Sequence, residues 1–408
     1  MQFTADLHVH SRCARATSPD MDLPGMAHGA RRKGVRLLGT GDFTHPDWSA
    51  ELAARLVPVD GGLYAYDGVW FLYTAEVAAI WSHDGRTRRA HFLLLAPDAQ
   101  AANKVSRELG RVGNVEADGR PILGIRGEAL VEAVLGAAPE AAVIPAHVWT
   151  PWYSVFGSQS GFQSLEEALG KAAPHVFAIE TGLSSDPPMN RRVSALDSLA
   201  LVSFSDAHSP SRLGREACVF DLPEVSYPAL VAALRDRDPR RFLGTIEVFP
   251  QQGKYYYDGH RACGVGLSPA ETAACRGLCP VCGRPVTVGV LHRVEDLADR
   301  PVGMGPERAI PHRSLVPLAE VLGQVLGAGP GSKAVRGEYD RLVERFGSEL
   351  AILLDLPLDD LAEATSPAVT QAIAQVRAGD LTIRPGYDGQ YGEVRIPFKE
   401  EHREPAFS

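Results

Sequence analysis

Long apolar runs are missing from this chain. No stretch approaches the ~20 residues a membrane-crossing helix needs, and the N-terminus starts directly with strand-like sequence, so neither an anchor nor a signal peptide is expected. Cysteine is scarce, six in 408 residues, too few for a disulfide scaffold. Positive charge is also short: 41 Lys and Arg against 50 Asp and Glu leave a net charge of −9, which argues mildly against nucleic-acid binding. Repeats and long low-complexity segments are lacking. The remainder, 45% hydrophobic and 22% charged, is ordinary globular composition in a length suited to two or three domains. A cytoplasmic protein is expected.

What is present begins with Asp6-Leu7-His8-Val9-His10. Phe3, Ala5 and Leu7 alternate as in a strand, and two imidazoles two residues apart on extended chain point the same way, so both can reach one metal ion. Alone the pair is a weak signal, but the event recurs. Val35–Gly39 leads to Asp42 and His45, Val69–Tyr73 to Glu76, and Phe92–Leu95 has His91 at its mouth. Ala142–Pro145 leads to His147, Val176–Ile179 to Glu180, and Leu201–Phe204 to Asp206 and His208. Such short apolar runs read as buried strands of a parallel sheet, with helical crossovers at Pro24–Lys33, Glu128–Leu135, Leu165–Ala172 and Tyr227–Arg235. In an α/β barrel the C-terminal strand ends carry the active site. Any one of these residues is more simply a surface or capping group; the whole set is not.

Four of the six cysteines fall between Cys263 and Cys282. Cys279-Pro-Val-Cys282-Gly is a knuckle whose turn aims two thiolates at one ion, and the segment lacks the apolar bulk to fold alone. Cys263 and Cys275 are the expected partners, with His260 as the substitute. Residues 1–245 therefore read as a barrel, 246–300 as a zinc-binding module and 301–408 as a mainly helical region. Gly327–Lys333 interrupts the helical pattern; a Gly-rich turn with Ser and Lys before a helix can hold a phosphate, although a plain interhelical turn is the favoured reading.

DLHVHS, GTGDFTH, a following Glu, AHVW and SDAH occur in the order seen in PHP-domain phosphoesterases, which this chain resembles. GTGDFTHP, PAHVWTPWYSVFGSQSGF, FSDAHSPSRLG, CPVCGRPVTVGVLHRVEDLA and PGYDGQYGEVRI narrow the resemblance to the endonuclease Q family. It implies a distorted (β/α)7 PHP barrel with a zinc-binding module and a C-terminal helical region. By that pattern His8, His10, Glu76 and Asp206 would hold one metal and Glu76, His91 and His147 a second. Asp42 and His208 would complete a third, more open site; Thr-Gly-Asp stands where such proteins show Thr-Asp-His, so Asp42 and His45 compete for that place. Asp206, Glu76 and His208 are the expected catalytic residues.

A His/Asp/Glu cluster without a nucleophilic Ser or Cys implies metal-assisted hydrolysis. Mixed N/O ligands suit zinc, manganese or iron; Zn2+ is the expected cofactor, with Mg2+ or Mn2+ at the third position. The resemblance implies DNA cleavage 5′ of deaminated bases (uracil, hypoxanthine, xanthine) and abasic sites, leaving 3′-hydroxyl and 5′-phosphate ends. An enzyme testing one nucleotide must hold its base outside the stack. Trp149, Trp152, Tyr153 and Phe156, with Ser158 and Ser160 after them, are the candidate sensors, and Arg212 belongs to a run of cations after residue 210 that could meet phosphates. The competing reading of that loop is aromatic packing on the barrel mouth. A monomer near the nucleoid is expected, with a sliding clamp as a candidate partner. Two alternatives are a small-molecule PHP phosphatase and a non-catalytic metal-binding scaffold.

Overall fold

The computed structural model describes residues 1–397. Its first strand, Gln2–Asp6, buries Phe3, Ala5 and Asp6. It pairs in parallel with Leu37–Gly39, which pairs in parallel with Val69–Leu72. On its other side it runs antiparallel to Ala217–Asp221, itself antiparallel to Phe242–Val248. Leu63–Tyr66 and Val57–Val59 extend one edge of this eight-stranded sheet, and His312–Leu315 closes the other.

A second sheet holds Ile122–Leu123, Thr74–His83, Arg86–Leu95 and Ala142–Pro145, and Ala178–Glu180 pairs in parallel with Ala200–Val202. Ala5, Leu37, Leu72, Leu93, Ile144, Ala178 and Val202 share one buried core, so strands of all three sheets enclose a common interior. This is a mixed α/β fold. The expectation of parallel strands holds for the Gln2, Leu37 and Val69 strands and for the last pair. It fails for Phe92–Leu95 and Ala142–Pro145, which run antiparallel. The cause is a long hairpin: Thr74–His83 and Arg86–Leu95 are joined by Asp84-Gly85 with φ of 50° and 71°, the two-residue turn that matches strand twist. Glu76 thus lies inside a strand rather than past the end of one. His91 sits opposite Ala78, diagonal to Glu76 on the same face.

The four expected crossover helices form, as Leu23–Lys33, Gly127–Ala137, Leu165–Leu169 and Tyr227–Asp236. Asp22 caps the first and Ser226 the last, each accepting a backbone N–H of the first turn. Residues 246–300 form a small hairpin, Asp258–His260 with Val265–Leu267, and the helix Val290–Leu297. Val290 and Val294 of that helix pack into the core of the main body. The region after residue 301 first gives the strand His312–Leu315 to the main sheet and then packs Leu318–Leu326, Lys333–Phe346 and Pro367–Ala378 around a core shared with Ala217 and Ile246. In the Gly327–Lys333 turn, Gly327 ends one helix at φ 59° and Ser332 caps the next, so both serve the turn.

Lys33 pairs with Glu349 across the junction of the main body and these helices, both buried. Glu349 also accepts from the Leu318 amide and the Tyr339 hydroxyl. Lys33→Met leaves that carboxylate without its cation and is expected to cost about 3–5 kcal/mol, read as a lowered urea midpoint. A midpoint within error of the parent would remove the pair from the account of this junction.

Candidate metal centre

His8 and His10 follow the first strand, and the chain there is held by a bridge between Val9 and Ala207, His10 N–H donating to Ala207 O at 3.0 Å. This contact joins the first strand's end to the Asp206 loop. Gly41 makes the crossing of the Asp42 loop feasible: its φ is 62°, and a Cβ there would lie 2.4 Å from Val9 O. Asp42, His147 and Asp206 themselves adopt positive φ of 48°, 31° and 46°. Three non-glycine residues in that region at one place store backbone strain of about 1–3 kcal/mol each, and each turns its side chain inward.

Two groups result. His8, His10, Glu76 and Asp206 bring one ligand atom each within 4.8 Å of one another, and Glu76, His91 and His147 do the same. Glu76 belongs to both and is fully buried. Its Oε1 lies 2.7 Å from His91 Nδ1 and 3.1 Å from His147 Nε2, and its Oε2 lies 3.1 Å from His10 Nε2. Among the described residues, His8 Nε2, His10 Nε2 and Asp206 Oδ1 are buried without an aligned hydrogen bond, although His10 Nε2 lies 3.1 Å from both Glu76 Oε2 and Asp206 Oδ1. Leaving such atoms unpaired costs free energy, and all three face the middle of the cluster. Electrostatics agree. Burial alone would disfavour the cationic rings of His8 and His10, but the surrounding carboxylates outweigh it and hold both well above the usual imidazole range. Burial opposes the Glu76 charge too, yet His91, His8 and Arg120 hold its carboxyl well below the ordinary range. His91 is the exception: burial pushes it down to about 4. The site is short of positive charge, and its nitrogen and oxygen donors fit divalent cations.

Behind the cluster stands a layer that orients it. Glu180 accepts from His8 Nδ1 at 2.9 Å and from the His147 amide at 2.8 Å. Asp42 accepts from His10 Nδ1 at 3.0 Å and from the Ser11 amide and hydroxyl at 2.6 and 2.7 Å. Asp42 is therefore placed as a holder of His10, with its oxygens engaged, and lies outside both donor groups. His45 begins the Pro46–Arg55 helix and is also outside them. His208 is close: its ring lies 4.5 Å from His10, and its Nδ1 donates to Asp206 O at 2.9 Å. The sequence marks Glu180 as a strand-end acid without assigning it a ligand or orienting role, and gives no sign of Arg120. Arg120 Nη1 lies 3.0 Å from Glu76 Oε2. Gly119 beside it must be glycine, since a Cβ would meet Asp42 Oδ2 at 2.4 Å.

The aromatic loop after His147 divides. Trp149 and Phe156 are 1% and 2% exposed, pack against each other with tilted rings at 5.0 Å, and Trp149 Nε1 donates to Asn190. They are core residues and do not meet a base. Ser160 is buried too, accepting from the Tyr153 amide and donating to Arg89 O, and Ser158 donates to Val288 O. Trp152 is exposed, and Tyr153 lies 4.8 Å from the His91 ring. Arg212 pairs with Glu320 at 3.1 Å.

A third donor group unites His260, Cys263, Cys279 and Cys282, a set suited to zinc. Cys279 N–H donates to Arg284 O and Gly283 N–H to Cys279 O, which closes the knuckle. Cys275, the C-cap of the Pro269–Ala274 helix, stands outside this group, and His260 completes it.

Two measurements check these placements. Cys279→Ser is expected to remove one metal per chain, and Cys275→Ser none, by metal analysis of purified protein; equal loss in both would return Cys275 to the ligand set. Glu180→Gln is expected to weaken metal binding in the main cluster about 10–100-fold, by chelator competition, with the sulfur-bound metal unaffected. Unchanged competition would make Glu180 a packing residue.

Residues 317–380 match the family described as the MJ0043 C-terminal domain. The chain is 28% identical to the uncharacterized protein YqxK of Bacillus subtilis over 96% of its own length and 98% of that protein's. It is 31% identical to MJ0043 of Methanocaldococcus jannaschii over 60% of its length, spanning 31% of that longer protein. Among solved structures it is similar to the lesion-specific endonuclease PfuEndoQ of Pyrococcus furiosus, with a TM-score of 0.88 and 34% identity over 97% of this chain and 96% of that one. It is also similar to Endonuclease Q in complex with a 27-mer duplex carrying an abasic lesion at the active site, with a TM-score of 0.87, 34% identity and 97% coverage of each. A likeness of this identity that runs nearly end to end in both chains places the protein in the endonuclease Q family.

Proposed function

We propose that this protein is a metal-dependent DNA endonuclease that cuts the phosphodiester 5′ of a deaminated base (uracil, hypoxanthine or xanthine) or an abasic site, leaving 3′-hydroxyl and 5′-phosphate ends. The observation that carries this is a buried His/Glu/Asp cluster with unsatisfied donor atoms in a chain alike, nearly end to end, to a lesion-specific endonuclease. The scaffold is read as a distorted PHP barrel of residues 1–245, followed by a zinc-binding module to residue 300 and a mainly helical region beyond.

His8, His10, Glu76 and Asp206 would hold one cation and Glu76, His91 and His147 another, with zinc the best fit to the mixed donors. His208, beside an Asp42 that braces His10, would border a third position open to Mg2+ or Mn2+. Bound cations lower the pKa of water and offset charge on the attacking and leaving oxygens. The protein's own groups do the rest. Because His208 Nδ1 donates to the Asp206 carbonyl, Nε2 carries the lone pair and can receive the proton of the attacking water. Asp206 Oδ1 faces the same space and orients that water. Arg120, 31% exposed at its side chain, is placed to grip a non-bridging phosphate oxygen once Glu76 has cations for partners. Tyr153 and Trp152 stand at the entrance, where an extruded base would pass. The protein is read as a monomer acting at the nucleoid in the cytoplasm, with a sliding clamp as candidate partner.

End-labelled duplexes carrying one uracil, hypoxanthine or abasic site test this. One nick directly 5′ of the lesion, dependent on divalent metal and absent from undamaged duplex, is expected. Asp206→Asn should lower the rate beyond the ~10–100-fold typical of losing a ligand's supporting partner, with DNA binding retained. Equal cutting of normal and damaged DNA, or hydrolysis of phosphomonoesters alone, would overturn the reading and favour a small-molecule phosphatase.

A further inference from the structure

The tail turn Pro385–Gly392 folds back onto the connection between the main body and the sulfur-bound module. Gly386 N–H donates to Gln251 O at 2.9 Å, Gly389 N–H to Lys254 O at 2.8 Å and Gly392 N–H to Gln252 O at 3.0 Å, and Tyr257 N–H donates to Gly386 O at 2.9 Å. The approach is so close that a Cβ at Gly386 would lie 2.4 Å from Gly253 O, and one at Gly392 2.1 Å from Gln251 O. A turn docked this tightly, more than 100 residues along the chain from its seat, is a built element. Of its two aromatics Tyr387 is buried and anchors the turn, whereas Tyr391 is 77% exposed and adds little to the core.

Tyr391 is not alone. Lys254 Nζ lies 6.0 Å from the Tyr391 ring and 5.6 Å from the Tyr255 ring. Tyr255 meets Trp152 edge to face at 5.2 Å, and Trp152 adjoins Tyr153, whose ring touches His91 of the metal cluster. Arg261 reaches the same turn, its amide donating to Asp388. Three segments distant in sequence thus bring the exposed Trp152, Lys254 and Tyr391 and the half-buried Tyr255 into one patch that leads to the candidate metal centre.

We propose that Tyr391, Tyr255 and Lys254 form a platform for the nucleotide next to the extruded one, the tyrosine faces replacing the stacking lost when its neighbour leaves the helix and Lys254 meeting the backbone. The inference rests on the endonuclease reading of the metal centre and adds to it a DNA contact built from the connection and the tail. Aromatic faces interleaved with cations suit an unpaired or unstacked base of any sequence. The chain's overall acidity makes local cations the sites where a polyanion can settle.

The test uses the full chain with Asp206→Asn to prevent turnover, and a labelled duplex with one abasic analogue and 5-iododeoxyuridine beside it. Tyr391→Ala and Tyr255→Ala are each expected to raise Kd about tenfold, within the range for losing one base–aromatic stack. Tyr391→Phe should restore binding, and light should cross-link the iodinated base to Tyr391 or Tyr255. Unchanged Kd in both alanine variants, or cross-links that map elsewhere, overturns the platform while leaving the nuclease reading intact. A parent chain that neither retains nor cuts lesion DNA overturns both. A Kd loss in Tyr391→Ala that Tyr391→Phe does not repair, with unfolding at lower temperature, assigns Tyr391 a structural role and also overturns the platform.

Discussion

Glu76 is the constraint on which the rest depends. A carboxylate wholly removed from water is costly unless it is paired and hydrogen-bonded. Here its partners arrive from every side: His8 and His10 from the first strand's end, His91 from across the hairpin, His147 from another strand, and Arg120 from the loop before Ile122. Those elements must therefore end in one place. The positive φ at Asp42, His147 and Asp206 is the conformational cost of that convergence. The close approaches offset it only in part, since His8 Nε2, His10 Nε2 and Asp206 Oδ1 are left without an aligned hydrogen bond in the middle of the cluster.

Outside this centre the fold limits how much negative charge it buries. Asp42 and Glu180 are matched to imidazole and amide donors. Glu216 and Glu247 lie further back. Burial raises both, Glu247 to about 8, with Thr245 donating to its carboxyl. Burial likewise lifts Asp6 to about 6, although the Ser205 and Gly214 amides donate to it. Layers of carboxyls thus differ in character: ionised and metal-seeking in front, hydrogen-bonded in the middle, and at the back held by burial toward the neutral acid.

What the sequence made legible was local. A strand ending in His or Asp is a short-range pattern, so His8, His10, His147 and Asp206 could be read, as could the knuckle at Cys279 and Cys282. Partners decided by tertiary approach could not. Glu180 shows as a strand-end acid, but its reach to His8 across 172 residues of chain is a tertiary fact that no local pattern carries. Trp149 and Trp152 look alike in sequence, but one is core and the other exposed. Buried parallel and antiparallel strands share the same apolar runs; the signal that separates them here is Asp84-Gly85, a hairpin turn pair. Cys275 was misplaced because knuckle spacing fixes two ligands and leaves the others to the path of a six-residue helix.

The net charge of −9 looks unsuited to a protein that holds DNA, and the structure shows why it misleads. Formal charge counts Asp6, Asp42, Glu76, Glu180, Glu216, Glu247 and Glu349 in full, yet all are buried. Some are matched by imidazoles or Lys33, and others are pushed by burial toward the neutral form. Their field at the surface is weaker than the tally implies. The groups that an approaching strand would meet around the metal centre include Arg120, Lys254 and Arg261, with Arg89 over the Tyr153 ring at 5.7 Å. Charge that steers a ligand is counted where the ligand arrives, and at this mouth the cations are on the outside and the acids within.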